Sequence, residues 1–164
     1  MYKQIQFTLN NRRMCLSVDE QESLTDMLRG QCGIMSVKKG CEAGECGACT
    51  VLLDGKAINS CIYLAIWSDG HSILTVEGVS KKDGTLHPIQ EAFIEEAAIQ
   101  CGFCTPGLIM TGVEIANTGK KYTRDELREL ISGHLCRCTG YENILNALEK
   151  VVGIDSEKDK EHTV

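Results

Sequence analysis

Hydrophobic and polar positions alternate from the start of the chain. Ile5, Phe7 and Leu9 fall on one face of an extended segment, and Met14, Leu16 and Val18 resume the period of two after the turn-forming pair Asn10-Asn11. That pattern predicts a β-hairpin. Ser23 is placed to cap a short helix that turns Leu24, Met27 and Leu28 inward and closes at Gly30. Thr50 to Leu53 reads as a strand, Asp54-Gly55 as a tight turn and residues 57–60 as the returning strand. A helical stretch over 62–67 and a last strand over 73–76 complete this half.

Past a polar, glycine-containing stretch at 81–84 the period lengthens to that of a helix. Helices are expected over 88–98, 106–118, 125–131 and 142–152. Pro106 stands at the first helical position after Thr105, Thr123 to Glu126 has capping-box spacing, and Gly119, Gly133 and Gly153 suit C-caps. The expectation is therefore an α+β unit over 1–79, an all-helical unit over 80–153 and a disordered tail over 154–164, where charges mix without periodicity.

Cysteines change the picture. Gly40-Cys41-Glu42-Ala43-Gly44-Glu45-Cys46-Gly47-Ala48-Cys49 sets three thiols in one glycine-rich loop, and the returning strand delivers Cys61. This is the C-x4-C-x2-C…C spacing of a plant-type 2Fe-2S centre. A loop that wraps such a centre must turn sharply and aim N–H groups at the sulfurs, and Gly40, Gly44 and Gly47 permit that path by taking positive φ and carrying no Cβ. A structural zinc site is the alternative, but zinc ribbons pair one CxxC with a distant second. A further set lies in the helical half: Cys101 and Cys104 fall between its first two helices, Cys136 and Cys138 between its last two. In an antiparallel bundle both loops can share one end, where four thiolates could hold a second centre. Zinc on four cysteines answers to the same spacing, although a CxC pair is unusual for it. A thioredoxin-type redox CxxC fits poorly, because no βαβ pattern surrounds it.

Ten cysteines in 164 residues would suggest a disulfide scaffold in a secreted chain. The N-terminus instead runs straight into an alternating strand, with no apolar signal region, so a cytoplasmic protein with metal-binding thiols is expected. No apolar run is long enough to cross a bilayer. The formal net charge of -6 and the lack of any long Lys/Arg block argue against nucleic acid.

The segments 40–51, 100–107 and 136–141, in that order, resemble the iron-sulfur subunit of the molybdenum hydroxylases, the xanthine dehydrogenase family, with residues 36–39 and 59–65 most similar to its bacterial small subunits. The resemblance implies a β-grasp plant-type ferredoxin domain that binds one 2Fe-2S cluster through Cys41, Cys46, Cys49 and Cys61. It implies a four-helix bundle that binds another through Cys101, Cys104, Cys136 and Cys138. It also implies a large molybdopterin-binding partner, with Gln100 hydrogen-bonded to the pterin and Cys138 the ligand nearest it, and an FAD-binding partner facing the first cluster. The chain would then be the electron relay of a hetero-oligomeric oxidoreductase, with no substrate site of its own. A zinc-stabilised interaction protein and a free-standing ferredoxin are the competing readings. Cys15 and Cys32 are left over as free thiols. His134 is a conceivable but superfluous ligand, Arg137, Glu42 and Glu45 are expected at the surface, and Phe103 and Tyr141 are expected to pack around a centre.

Overall fold

Asn10 and Asn11 both take positive φ, 49° and 65°, the turn geometry that matches the twist of paired strands. They join β1 (Tyr2–Leu9) to β2 (Arg12–Asp19) in the expected hairpin. The structure, a computed structural model, describes residues 1–153; the expected disordered tail lies outside the described residues. Helix α1 (Leu24–Gly30) starts where Ser23 Oγ accepts from Asp26 N at 3.1 Å. Strands β3 (Thr50–Leu53), β4 (Lys56–Asn59) and β5 (Ser72–Leu74) complete one sheet in the order β2-β1-β5-β3-β4, with β1 and β5 parallel and the other neighbours antiparallel.

The helix expected over 62–67 does not form. Two single 3-10 turns, Ser60–Ile62 and Ala65–Ser68, flank an extended Leu64 that bridges Ser23. Leu24 N donates to Tyr63 O at 2.7 Å and Ala65 N to Glu22 O at 2.9 Å. Pairing with the α1 entry takes the backbone groups a helix would have used. The last strand also stops early. Asn10 Oδ1 accepts from Thr75 N and Asn10 Nδ2 donates to Thr75 Oγ1, each at 2.9 Å, so a side chain replaces the ladder there.

Four helices follow: α2 (Pro88–Glu95), α3 (Thr105–Asn117), α4 (Arg124–Leu130) and α5 (Glu142–Val152). The capping box at Thr123 and Glu126 is present. A second N-terminal lock, unexpected from sequence, has His87 Nδ1 accepting from Ile89 N at 3.2 Å while Gln90 Oε1 accepts from His87 N at 2.9 Å. Helix α2 ends short of 98 because Ala97 takes φ 50° and Ala98 N donates back to Phe93 O. Helix α3 begins at Thr105, with Pro106 second rather than first and Cys104 at the cap position. Gly119 and Gly153 take positive φ after their helices, whereas α4 is capped at Ile131, before Gly133. Among the described residues no helix is long and apolar enough to cross a membrane.

Two apolar cores meet at β3. Ile5, Phe7, Val18, Leu24, Met27, Leu28, Val51 and Ile73 form one between sheet and α1. Ile89, Phe93, Leu108, Met110, Leu127, Ile144 and Leu148 form the other among α2 to α5, and Leu52 of β3 belongs to it. Successive strand residues point to opposite faces, so Val51 serves the first core and Leu52 the second. That double burial explains why β3 reads as a continuous apolar run. Glu114 of α3 fastens the contact: its carboxylate accepts from Ala57 N on β4 at 3.1 Å and lies 3.7 Å from Lys56 Nζ.

Where α3 crosses the first cysteine loop the approach is closest. A Cβ on Gly107 would strike the Gly47 carbonyl oxygen, whereas one on Gly30 would meet nothing within 4 Å. Gly107→Ala is therefore expected to cost about 2–3 kcal/mol and Gly30→Ala to add ~0.5 kcal/mol. Thermal denaturation of the two variants beside the unaltered protein checks the opposite signs.

Candidate metal centres

The first cysteine loop, residues 40–49, leaves α1 and enters β3. Its backbone aims donors at sulfur. Cys41 Sγ accepts from Ala43 N at 3.4 Å and Glu45 N at 3.2 Å, and Cys46 Sγ accepts from Cys41 N at 3.4 Å. The Ala43 N–H, then those of Glu45 and Cys46, lower the Cys41 thiol to about 6, because a thiolate accepts such bonds more strongly than a thiol. The glycines have separate reasons. Gly44 and Gly47 take φ 79° and 68°, as expected, but Gly40 does not. It is glycine because a Cβ there would lie 2.8 Å from Cys46 Sγ.

The other two thiols of this set are held by the sheet. Cys49 is buried just before β3, and Cys61 sits in the 3-10 turn that follows β4. Pairing of β3 with β4 brings them together. Burial, and then the neighbouring Cys49, push the Cys61 thiol up to about 11.

In the helical half, the loop between α2 and α3 carries Cys101 and Cys104 and meets the loop before α5, which carries Cys136 and Cys138. Burial first, and Cys136 second, push the Cys104 thiol up to about 12. Contact with Cys101 raises Cys138. Cys136 is lowered: burial acts against it, but Thr139 Oγ1 donates to its sulfur at 3.1 Å.

Within each set the thiols lie near enough to act on one another: Cys49 and Cys41 both raise Cys61, and Cys136 and Cys101 both raise Cys104. Among the described residues no group of three or more His, Cys, Asp or Glu side chains gathers round a single ion position. Four cysteines are the ligand number of a 2Fe-2S centre, and the C-x4-C-x2-C spacing of the first set is that of the plant-type one. The donor sets fit that group. They also need its charge, since raised thiols at Cys61 and Cys104 become thiolates only beside a cation.

The two loops touch. Leu135 N donates to Cys46 O at 3.1 Å, which leaves one hydrogen bond between a residue of the first set and the neighbour of Cys136. The Phe103 ring lies against Gly40. Gln100 and Cys138 are exposed at the outer end of the second set, as are Cys101 and Arg137. His134 touches none of its own set: it is buried, with Nε2 2.7 Å from Thr111 Oγ1. Glu42 and Glu45 are exposed as expected, although Glu42 pairs with Lys39 at 3.0 Å. Cys15 is exposed and Cys32 half-buried, with burial raising the Cys32 thiol. Tyr141 does more than pack. Its hydroxyl accepts from Cys136 N at 2.9 Å and donates to His134 O at 3.1 Å, locking the second loop.

Comparison with known proteins agrees with this geometry. Residues 7–71 match the family model of a 2Fe-2S iron-sulfur cluster binding domain, and residues 75–149 match that of a 2Fe-2S binding domain. The chain is 48% identical to the nicotine 6-hydroxylase small subunit of Paenarthrobacter nicotinovorans, over 88% of this chain and 87% of that one. It is 47% identical to the xanthine dehydrogenase iron-sulfur-binding subunit of Escherichia coli O157:H7, over 95% of each. The crystal structure of quinoline 2-oxidoreductase from Pseudomonas putida 86 matches with a TM-score of 0.86 and 40% identity, over 99% of both chains. The sheet and helix α1 thus have the 2Fe-2S ferredoxin-like fold.

Tyr141→Phe removes both bonds of the hydroxyl and leaves the Cys136 N–H without its partner. The expected loss is ~1–2 kcal/mol of stability, with the EPR signal of the helical-half centre altered and the other signal unchanged.

Proposed function

Because the chain belongs to the iron-sulfur small subunits of the xanthine dehydrogenase-like molybdenum hydroxylases, we propose that its two thiol sets are the two 2Fe-2S sites of an electron relay. Cys41, Cys46, Cys49 and Cys61 hold one centre; Cys101, Cys104, Cys136 and Cys138 hold the other. The observation that carries this assignment is that the fold gathers four thiols in each half, within the stretches that match the two 2Fe-2S domains. When bound, each centre supplies a one-electron redox step, which links a large molybdopterin-binding partner to an FAD-binding partner.

The chain's own residues perform three tasks in this reading. Backbone N–H groups of Ala43 and Glu45, with the Thr139 hydroxyl, bond thiolate sulfur and so favour the more negative state of each centre. The Leu135 N–H to Cys46 carbonyl bond keeps the two loops in fixed register. Exposed Gln100 meets the pterin on the partner, and exposed Cys138 is the ligand nearest to it. The chain works as a component of a multi-subunit oxidoreductase and contributes no substrate site of its own.

The boundaries at 79 and 80 are proposed as the junction of two domains, and α2 to α5 as a four-helix bundle. The shared apolar cluster of those helices supports the second point. A cytoplasmic hetero-oligomer with both partners is the assembly that follows.

Metal analysis of anaerobically prepared protein is expected to return about four irons per chain, with two reduced EPR signals; zinc without iron would overturn the assignment. Cys46→Ser is expected to abolish the first-loop signal alone and to stop electron delivery to flavin while molybdenum remains reducible by substrate. Gln100→Ala is expected to keep both signals and to slow turnover of the assembled enzyme, measured with both centres loaded.

A further inference from the structure

One side chain joins the two cysteine loops from the inside. His134 is 5% exposed, two residues before Cys136, and its Nδ1 is the one buried side-chain nitrogen or oxygen without a hydrogen-bond partner among the described residues. Nε2 is held by Thr111 Oγ1 on α3. The opposite edge of the ring faces Gly47, midway between Cys46 and Cys49: a Cβ on Gly47 would strike Nδ1 and would lie 2.9 Å from Cε1. The Gly47 carbonyl already accepts from Thr50 N at 3.1 Å and Thr50 Oγ1 at 2.7 Å.

A neutral imidazole carries one N–H, and its place is chosen by the neighbours. Beside thiolates and a negative iron-sulfur group, a bare lone pair is repelled and an N–H is attracted. The Thr111 hydroxyl can donate to Nε2, which leaves the proton on Nδ1.

We propose that His134 is a positioning residue for the relay: clamped by Thr111, it presents Nδ1–H to the Cys46–Cys49 segment and makes the first-loop centre easier to reduce. This rests on reading that thiol set as a binuclear iron centre. With both centres bound, the step affected would move one electron: iron of the helical-half centre would be oxidised from Fe(II) to Fe(III) as iron of the first-loop centre was reduced from Fe(III) to Fe(II). No bond forms or breaks, and no proton leaves His134. An N–H dipole directed at the acceptor favours the extra negative charge there.

The test uses the assembled holoenzyme. Iron content and the two EPR signals first establish that both centres are loaded, which examines the underlying assignment by itself. Redox titration of the first-loop signal then compares wild type, His134→Met and His134→Gln. His134→Met is expected to move that potential negative, shifting electron sharing between the centres roughly tenfold, or about 59 mV for one electron. His134→Gln keeps an N–H donor and is expected to restore most of the shift. Equal potentials in all three proteins, or equal shifts in both variants, would overturn the proposal. If the methionine variant fails to load both centres, wild type grown on nitrogen-15 histidine decides: a histidine nitrogen coupling in the pulsed EPR of the reduced first-loop centre is expected, and its absence refutes the role.

Discussion

Four sulfur atoms drawn together cannot all carry negative charge without a cation among them. Every unusual feature of the two cysteine loops follows from that constraint. Around Cys41, N–H groups of the loop itself offset part of the charge. At Cys61 and Cys104 such help is outweighed, and burial beside a second thiol keeps them protonated until a metal arrives. Metal binding therefore supplies free energy to the fold and takes protons away. With only two small apolar cores to draw on, a chain of this size gains from such a contribution.

The thiols are distributed so that neither set can be assembled by one element. The first needs a loop plus the β3–β4 pairing; the second needs loops from opposite ends of the helical segment. The contact of α3 with β3 through Leu52, and with β4 through Glu114, then fixes one set against the other. Electron transfer falls steeply with distance, so a rigid junction is a functional requirement. Gly47 and Gly107 show how tightly it is drawn, because each lies where a methyl group would meet the opposing loop.

Much of this was legible in the sequence, because it rests on local rules. The Asn10-Asn11 hairpin, the Ser23 cap, the Thr123 capping box and the bounds of α5 follow from turn chemistry and periodicity. So did the spacing of the thiols. The misplaced element ends share a cause: a distant partner prevailed over a local preference. Residues 62–67 have helical composition but pair with the entry to α1, and Thr75 leaves the ladder for the side chain of Asn10. His87 went unnoticed as a cap because imidazole is an uncommon one. His134 was weighed only as a metal ligand, since nothing local says that its neighbour in space is Gly47. Tyr141 looked like packing because a phenol bridging two backbone groups has no signature in spacing.

The Glu114 carboxylate has a consequence of another kind. Strand β4 ends the sheet, and its outward N–H at Ala57 would offer a template for strand addition. Glu114 occupies that donor from the adjoining helix. A newly made chain waiting for its partners is thus guarded on this margin against self-association through β-pairing, and the guard is built from the same helix that draws the two halves together.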